Sequence, residues 1–541
     1  YVRATTSTDD CKQSLYSYMN PFVGCLAYAP DKCLANDEAC IRTRLNNIKH
    51  TKPVEETPFV AQCRGEFIDF LTKDGKGKLL PKTVQDVYDN MPRPSQQRSL
   101  EDAEWTGSNY SQMVKAFQKA EAYGDAKDPR NISTICPEDK LQYSRYTYAL
   151  ADRIKKHKWY AFGKPPIDIA NHVADICISS DTVGLGDFSR MDGRVSNIGR
   201  SLTEAWIAAE FHPSEVDNAL KYARTQYNCK AVTREGVKYS TGWSRLSGSP
   251  ETSLFNTLEN AFAAYLCHRK LGYSPEDAWS RLDKCMFGGD DSIMGDTDIE
   301  SYSKACKNIG HKATGETILR GSPGINFLSR YYSPAVWHGD NNSVSDPRRI
   351  ISKFHTCTTP QRTETEKQIK LIEKALSIAF TDPNSPLIGD FARKALDLSE
   401  TQVPESLLHV TADTSWWARF EHESTYPNDV GDWATDLLMD QIPSLQLEAA
   451  LEAINSCSTL PELMSLPIFS EMEIDVNPII TNETVTIDGI SHFPRSGLAC
   501  RLCGSTNHTI CPRQAKLKPC RTCGDKQPDH TSGFCHHNKD R

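Results

Sequence analysis

Between residues 180 and 330 the spacing of hydrophobic positions switches between the period of a strand and the period of a helix. Val183, Leu185 and Asp187 fall on one face of a short strand with period-two alternation. Residues 247–270 carry apolar side chains at helical spacing after a Ser-Gly-Ser-Pro turn. This order of strands and helices predicts an α+β domain built around a sheet.

A β-hairpin is predicted where apolar residues flank a turn of two glycines and two acids, in the sequence Phe287-Gly-Gly-Asp-Asp-Ser-Ile-Met-Gly-Asp296. Acids are common in turns, so Asp290 and Asp291 alone are a weak indication of chemistry. Two like charges this close nevertheless repel each other unless they are protonated or neutralised by a cation. A second acidic strand end is therefore significant, and Asp187 supplies it.

If the strand that ends at Asp187 lies beside the hairpin, the carboxylates of Asp187 and Asp290 converge. Hard divalent cations such as Mg²⁺ or Mn²⁺ prefer carboxylate and phosphate oxygens. Two such ions can activate a 3′-hydroxyl and stabilise the pyrophosphate that leaves. The predicted reaction is nucleotidyl transfer.

A third polar group lies between these acids in the sequence, where Ser247-Gly248 is followed by Thr252 and Asn256. The glycine permits a close backbone approach, and Thr252 and Asn256 lie four residues apart on one helical face. Together with Asp192 they can hydrogen-bond a ribose hydroxyl. The alternative is an ordinary helix start with Ser249 as the cap and solvated polar positions after it.

The ordered combination Asp-x4-Asp, Ser-Gly-x3-Thr-x3-Asn and Gly-Asp-Asp resembles motifs A, B and C of the viral RNA-dependent RNA polymerases. The resemblance implies a right-hand polymerase of fingers, palm and thumb, with an antiparallel palm sheet. It also implies that Asp187, Asp290 and Asp291 are the catalytic, Mg²⁺-binding acids. The residues implied in nucleotide and ribose recognition are Asp192, Ser247, Thr252 and Asn256.

Within the positive-strand RNA viruses, the stretches "DFSRMDGRVS", "SGSPETSLFNTLEN" and "GGDDS" are most similar to the nodavirus-like replicases. This similarity implies replication of a viral RNA genome from ribonucleoside triphosphates, with other viral or host replication factors as further partners. It also implies action in the host cytoplasm, in a membrane-associated replication complex. No apolar run is long enough to cross a membrane, so we expect membrane association only through regions outside this chain.

Flanking stretches resemble further polymerase motifs. "FQKAEAYGDAKDPRNIS" resembles the fingers motif F, which implies that Lys119, Lys127 and Arg130 bind the triphosphate. "ACKNIGHKA" resembles motif D and leaves His311 and Lys312 open as the general acid for pyrophosphate. "INFLSRYY" resembles motif E, which supports the primer end near Ser329 and Arg330. "MPRPSQQR" resembles motif G.

The predicted division of the chain follows the motifs and the charge. The segment 401–490 contains sixteen Asp or Glu and a single Arg, whereas 491–541 contains nine Lys or Arg and three Asp. Helical patterns with many basic residues are expected from about 110 to 180. The domains expected are 1–180, N-terminal extension and fingers; 181–335, palm with motifs A to E; 336–400, a mostly helical thumb; 401–495, acidic segment and linker; and 496–541, a zinc-binding tail.

The tail holds six of the 19 cysteines, in two Cys-x2-Cys turns that are each followed by a His and a Cys. Three thiolates and one imidazole form a common structural Zn²⁺ site. The expected Zn²⁺ ligands are Cys500, Cys503, His508 and Cys511 in the first unit, and Cys520, Cys523, His530 and Cys535 in the second. In the second unit His536 or His537 remains an alternative ligand. Basic residues around them favour zinc knuckles that bind RNA, with a protein-docking tail as the alternative.

Two other functions compete with an RNA polymerase. A reverse transcriptase would share the fold and the metal-binding acids, but it typically has an aromatic residue where Asp192 stands. A non-enzymatic RNA-binding or assembly protein built around the zinc tail would leave the ordered acids unexplained. The acids and Asp192 therefore favour a polymerase that uses ribonucleotides and an RNA template.

Overall fold

The computed structural model describes residues 2–5, 12–25, 27–91, 94–106, 113–124, 128–402, 425–471 and 491–494. Its strands are β1 Val2–Thr5, β2 Tyr16–Ser17, β3 Tyr28–Pro30, β4 Val114–Gln118, β5 Asn131–Thr134, β6 Thr182–Phe188, β7 Lys230–Thr233, β8 Lys238–Ser240, β9 Cys285–Gly288, β10 Asp291–Gly295, β11 Ala313–Leu319, β12 Asn326–Phe327, β13 Arg330–Tyr332, β14 Ser343–Ser345, β15 Thr356–Cys357 and β16 Ser491–Pro494.

The same residues form α-helices, a π-helical turn at Arg42–Asn46, and 3₁₀ turns at Arg281–Lys284 and Pro334–His338. The α-helices are α1 Leu34–Ile41, α2 Pro58–Leu71, α3 Val84–Asn90, α4 Pro94–Thr106, α5 Pro137–Ile154, α6 Pro166–Ile178, α7 Met191–Arg194, α8 Asn197–Glu210, α9 Pro213–Arg224, α10 Thr252–Lys270, α11 Pro275–Ser280, α12 Ile299–Asn308, α13 Pro347–Lys353, α14 Glu364–Thr381, α15 Ile388–Gln402, α16 Asp432–Gln441, α17 Leu447–Ser456 and α18 Leu460–Met464.

An antiparallel sheet with the strand order β11-β6-β10-β9 lies at the centre of the molecule. The predicted hairpin forms between β9 and β10, and the predicted strand at Val183 forms as β6. β10 pairs with β6 so that Asp291 lies opposite Asp187. The sheet therefore places the two acidic strand ends side by side.

The alternation of apolar side chains along these strands fills two separate cores. Phe287 and Met294 pack into a large cluster with helices α2, α8 and α10, while Val183, Met286 and Ile293 pack into a second cluster with α6. Because strand side chains point alternately to opposite faces, both faces of the sheet are covered. The acids at the strand ends are thus held by a rigid, buried layer.

A second sheet has the order β5-β4-β7-β8, and its strands β4 and β5 lie where the sequence predicted helices. Helices α5 and α6 do form in the predicted stretch 110–180, but 114–118 and 131–134 are strands. The residues of β4 alternate between buried and exposed positions, which is the period of a strand. This sheet carries the basic residues that precede α5.

The carboxyl-terminal helices pack around a core that also includes an early segment of the chain. Residues of α14, α15, α16 and α17 form one hydrophobic cluster with Tyr18, Phe22 and Val23. The rings of Phe22 and Phe391 stack with their centroids 4.8 Å apart, and Tyr18 donates a hydrogen bond to the carbonyl of Phe354. Part of the predicted acidic segment, residues 425–471, is therefore folded onto this helical lobe.

Within the described ranges, no helix is both long enough and apolar enough to cross a membrane.

Candidate active site

Three aspartates meet at one edge of the central sheet. Asp187 lies near the end of β6, Asp290 is at the hairpin tip, and Asp291 begins β10 opposite Asp187. The backbone N–H of Phe188 donates to the carbonyl of Asp290 across 3.2 Å, which joins the strand end to the tip. The structure therefore brings together the acids that the sequence predicted to converge.

The hairpin tip is held by side chains of α10 that the sequence analysis did not identify. Gly289 has a φ of +68°, which glycine adopts without strain. Its N–H donates to the hydroxyl of Thr257 across 2.9 Å. Asn260 donates to the carbonyls of Gly289 and Asp291, at 3.0 and 3.2 Å, and accepts a hydrogen bond of 2.6 Å from the hydroxyl of Tyr302. These bonds fix the backbone that carries the acids.

The carboxylates at the hairpin tip repel one another, and this repulsion shifts the pKa values of Asp187 and Asp291. Loss of hydration and the charge of Asp290 raise the pKa of Asp187 to about 6. Loss of hydration, Asp290 and Asp187 raise the pKa of Asp291 to about 7, against an opposing influence of Arg349. Bringing these carboxylates together therefore costs free energy that a bound cation would offset.

The donor set fits a hard divalent cation that keeps other ligands. In the described part of the chain, no group of three or more His, Cys, Asp or Glu is arranged to hold a metal ion by itself. Mg²⁺ commonly binds through one or two carboxylates and takes its remaining ligands from water and substrate phosphates. Carboxylates with raised pKa values that face an open cleft suit that mode of binding.

Asp192 and Asn256 form the polar pair expected for a ribose. The amide of Asn256 donates to a carboxylate oxygen of Asp192 across 2.8 Å. Burial raises the pKa of Asp192, although the bond from Asn256 and the charge of Arg245 act against it. The amide oxygen of Asn256 is buried and has no hydrogen-bond partner. This oxygen is a ready acceptor for a ligand hydroxyl.

Ser247 and Thr252, the other residues assigned to nucleotide recognition, have partners within the protein. Ser247 donates to the carbonyl of Asn131 in β5, and Thr252 donates to the carbonyls of Leu246 and Ser249. The loop passes so close to β5 that a Cβ on Gly248 would lie 2.5 Å from the carbonyl oxygen of Ser133. The glycine thus permits the close approach expected from the sequence.

The predicted triphosphate-binding residues lie on the sheet of β4 and β5. Lys119 forms an ion pair with Glu121 at 2.8 Å, and Arg130 lies 3.7 Å from the same carboxylate. Their backbones are joined by a bond from the N–H of Lys119 to the carbonyl of Arg130. Lys127 lies outside the described residues. Two cations with one shared acid therefore face the cleft.

The two residues left open as a general acid differ in their surroundings. His311 is buried, and its Nε2 lies 2.7 Å from a carboxylate oxygen of Glu259. Lys312 is exposed, and its carbonyl accepts from the N–H of Ser189 just beyond β6. Of the two, only Lys312 presents its side chain to solvent.

A fully buried network of charges lies behind the ribose pair. Arg245 contacts Glu251 at 2.8 Å and also contacts Glu259, and Arg200 contacts Glu251 at 2.6 Å. Burial alone would raise the pKa of both glutamates, but the arginines outweigh it and lower the pKa of each. The N–H of Arg245 also donates to the carbonyl of Asp192. The network thus supports the backbone of Asp192.

A cleft of about 1140 Å³ is lined by the predicted site residues Lys119, Arg130, Asp187, Asp192, Ser247, Thr252, Asn256 and Asp290. Its walls include basic residues that the sequence analysis did not identify, namely Arg44, Arg190, Arg348, Arg349 and Lys353. Single basic residues carry no sequence signature, and only their position in the fold brings them to the cleft. The predicted Zn²⁺ ligands in 496–541, and two residues of the predicted motif G, lie outside the described residues.

Comparison with known proteins finds relatives that are RNA-directed RNA polymerases. No family model matches the chain. It is 30% identical to an RNA-directed RNA polymerase of Pariacoto virus over 384 residues, which are 69% of this chain and 38% of that protein. It is 29% identical to the RNA-directed RNA polymerase of Pieris rapae virus, and the match covers 74% of this chain and 39% of that protein. It is also 29% identical to that of striped jack nervous necrosis virus, and this match covers 84% of this chain and 47% of that protein. The chain therefore spans less than half the length of these relatives.

A structural comparison supports the predicted fold. The insertion-loop deletion mutant of the RNA-dependent RNA polymerase of a human picobirnavirus matches with a TM-score of 0.51 and 10% identity. The match covers 77% of this chain and 82% of that one. The expected resemblance to nodavirus RNA-directed RNA polymerases and the right-hand α+β fold are thereby confirmed.

Proposed function

We propose that this chain is the catalytic part of a viral RNA-directed RNA polymerase, which joins ribonucleotides on an RNA template to replicate a viral genome. The observation that carries the proposal is the pairing of β6 with β10, which sets Asp291 opposite Asp187 at a cleft lined by Asp187 and Asp290. The cations of the neighbouring sheet face the same cleft. Acids for a metal and cations for phosphates are the two requirements of nucleotidyl transfer.

In this proposal Asp187 and Asp290 hold the metal ions, and Asp291 supports them. Bound Mg²⁺ would favour ionisation of the 3′-hydroxyl and neutralise charge on the leaving pyrophosphate. The protein positions these carboxylates by the β6–β10 register and by the bonds from Asn260 to the hairpin tip. Little other covalent chemistry is required of the protein, because phosphoryl transfer depends mainly on positioning and electrostatics.

The incoming nucleotide would lie between the two sheets. Lys119, Lys127 and Arg130 would bind the triphosphate, since cations grip phosphate oxygens. Asp192 would accept a hydrogen bond from a ribose hydroxyl, and the free amide oxygen of Asn256 offers a second acceptor. A substrate without a 2′-hydroxyl leaves such a buried acceptor unsatisfied, which costs about 1–3 kcal/mol. This argument favours ribonucleotides over the deoxyribonucleotides of a reverse transcriptase.

For the proton given to the leaving pyrophosphate, the exposed position of Lys312 favours this residue over the buried His311. A positioned lysine side chain can act as a general acid when pyrophosphate leaves. Lys312→Leu should slow single-turnover incorporation more than it weakens nucleotide binding. If His311 were the acid, the lysine variant would retain the native rate.

The tail at 496–541 is proposed to hold two structural Zn²⁺ ions and to bind single-stranded RNA. The spacing of its cysteines and histidines supports this. Zinc analysis of the purified chain should find two ions, and Cys500→Ser should remove one. A polymerase lacking 496–541 should keep its catalytic step but bind RNA more weakly. If the full chain bound RNA without making product, and deletion of 496–541 abolished that binding, the non-enzymatic alternative would gain support.

Incorporation of labelled ribonucleotides on a primed RNA template with Mg²⁺ tests the proposed activity. The native chain should give template-dependent product, and Asp290→Asn should reduce it by roughly three orders of magnitude, since a metal ion supplies several kcal/mol of stabilisation to the transition state. Asp217→Asn, at an exposed position of α9 away from the cleft, is the matched control and should leave the rate unchanged. Undiminished product from Asp290→Asn would refute the assignment.

A further inference from the structure

The arginine expected to support the primer end is not available to RNA. Arg330 is only 4% exposed. Its guanidinium donates to both carboxylate oxygens of Asp382 at 3.1 and 3.3 Å, and to Ser343 and Ser345. It also lies 4.4 Å from the ring centre of Tyr426. The positive charge of Arg330 is therefore paired with Asp382, and this ion pair joins β13 to the helical lobe.

The turn before Arg330 nevertheless lies directly on the catalytic hairpin. Leu328 packs against Gly288, where an added Cβ would lie 2.7 Å from a methyl carbon of Leu328. Leu328 and Ser329 have φ values of +51° and +62°, so the turn is sharply bent. Ser329 is exposed at its outer side. A cation at this turn would therefore stand beside the metal-binding acids.

Arg349 of α13 is that cation. It donates to the hydroxyl of Ser329 across 2.8 Å, and the N–H of Asp346 donates to the carbonyl of Ser329 across 3.1 Å. Asp346 in turn accepts from the N–H of Arg349 and caps α13. These three bonds fix Arg349 at the turn.

The charge of Arg349 is still available to a ligand. The residue is exposed and lines the cleft together with Asp290. It forms no ion pair with a described residue, and Asp187 lines the same cleft. Lys119 and Arg130 come from the sheet of β4 and β5, and Arg349 comes from the helical lobe. Cations from two separate parts of the fold thus reach the same cleft as the acids.

We propose that Arg349 binds the phosphate group of the priming nucleotide, which is the 3′-terminal internucleotide phosphate of a primer or the triphosphate of the first nucleotide in unprimed synthesis. This inference rests on the proposed polymerase function. Arginine can hold a phosphate through two parallel hydrogen bonds. In this arrangement Lys119 and Arg130 bind the triphosphate of the incoming nucleotide, and Arg349 binds the priming phosphate. Arg349 thereby takes the role that the resemblance assigned to Arg330.

The test measures equilibrium binding of a template annealed to a 3′-deoxy RNA primer, which requires no catalysis. The primer carries at its last linkage either a normal phosphate or a neutral methylphosphonate. The native chain should bind the methylphosphonate primer roughly ten-fold more weakly, since a charge-assisted contact is lost. Arg349→Ala should bind both primers equally weakly, and the slope of log Kd against log salt should fall by about one. Arg349→Lys should restore part of the discrimination.

A second arm addresses unprimed synthesis. The yield of the first dinucleotide is compared when the initiating nucleotide is a triphosphate or an unphosphorylated nucleoside. In each arm, discrimination is the preference for the ligand with the charged phosphate over the ligand without it. If Arg349→Ala loses this preference in one arm only, the result supports the proposal and identifies the source of the phosphate. Arg362→Ala, an exposed arginine before α14 that does not line the cleft, is the matched control and should keep the native discrimination in both arms.

Persistence of the full native discrimination in Arg349→Ala in both arms would overturn the proposal. The thermal unfolding midpoint of each variant is measured first, and an exposed side chain should leave it unchanged. Failure of the underlying polymerase function would look different: the native chain would make no template-directed product, whatever the residue at position 349. The binding arm with the 3′-deoxy primer still tests Arg349 in that case.

Discussion

Two groups of acidic side chains in this fold have opposite electrostatics. At the hairpin tip Asp187 and Asp291 are partly hydrated, yet their neighbours are other acids and their pKa values are raised. Behind the ribose pair Glu251 and Glu259 are fully buried, yet arginines contact them and their pKa values are lowered. Burial by itself thus does not mark a functional acid. Negative charge left without a partner inside the protein indicates where a cation or substrate binds.

The largest expected difference between the two groups concerns activity. Asp187→Asn should reduce nucleotide incorporation by roughly three orders of magnitude, because a ligand of the proposed metal site is weakened. The thermal unfolding midpoint should stay the same or rise, because the substitution removes a repulsive charge. Activity assays and differential scanning calorimetry measure both effects. A large loss of stability would show that Asp187 is a structural residue like the glutamates.

The converse effect is expected for the buried pair. Glu259→Gln removes the charge that Arg245 contacts, and breaking a buried pair on one side destabilises folding by about 3–5 kcal/mol. Glu300→Gln is the matched control, since Glu300 forms an exposed ion pair with Lys304 on α12. Exposed helical pairs contribute only about 0.3–0.5 kcal/mol. Denaturant unfolding that gives equal losses for the two variants would contradict a structural role of the network.

The positioning of the hairpin tip can be tested separately from its charge. Asn260→Ala removes two hydrogen bonds to the tip, each with a net contribution of about 1 kcal/mol, so kcat should fall roughly ten-fold or more. The Mg²⁺ concentration for half-maximal activity should rise, because the acids are less well aligned. Tyr302→Phe removes the bond to Asn260 but keeps both bonds from Asn260 to the tip, so it should give a smaller loss. An unchanged Mg²⁺ requirement in Asn260→Ala would exclude the positioning role.

The smallest expected effect is a difference in pH dependence. The lowered pKa values of Glu251 and Glu259 stabilise the fold above about pH 4.5, and this stability is lost as the pH falls through their folded values. Asp187 and Asp291 act in the opposite sense in metal-free protein. Their stabilisation is present at low pH and is lost as the pH rises through about 6 and 7.

Unfolding midpoints between pH 4 and pH 8 without divalent metal can separate these contributions. Asp187→Asn should flatten the decline near neutral pH. Glu251→Gln should leave that decline intact, and it should reduce the loss of stability at acid pH. If the native chain became more stable between pH 5 and pH 7, and Asp187→Asn abolished that gain, the pKa values of the acids at the hairpin tip would not be raised.

Local sequence patterns were sufficient for the central features of the site. The β6 strand, the β9–β10 hairpin and helix α10 each depend on residues close together in the sequence, and the order of their acids predicted the pairing. The role of Arg330 was less accessible, because its partner Asp382 lies 52 residues further along the chain. The strands of β4 and β5 were missed because only a few residues alternate in each. Asn260 was not identified, since an asparagine on a helix has many ordinary uses.

The packing of residues 18–25 into the helical lobe has a consequence for synthesis of the chain. The N–H of Gly24 bonds to Ser470, which lies 446 residues later in the chain. At about 5–20 residues per second the ribosome needs roughly 20–90 s to make that interval. Phe22 lacks its ring partners Phe354 and Phe391 for most of this time and stays exposed to chaperones and to aggregation. Closure of this lobe is therefore a late, long-range event, and it should set the pace at which newly made chains become resistant to proteases.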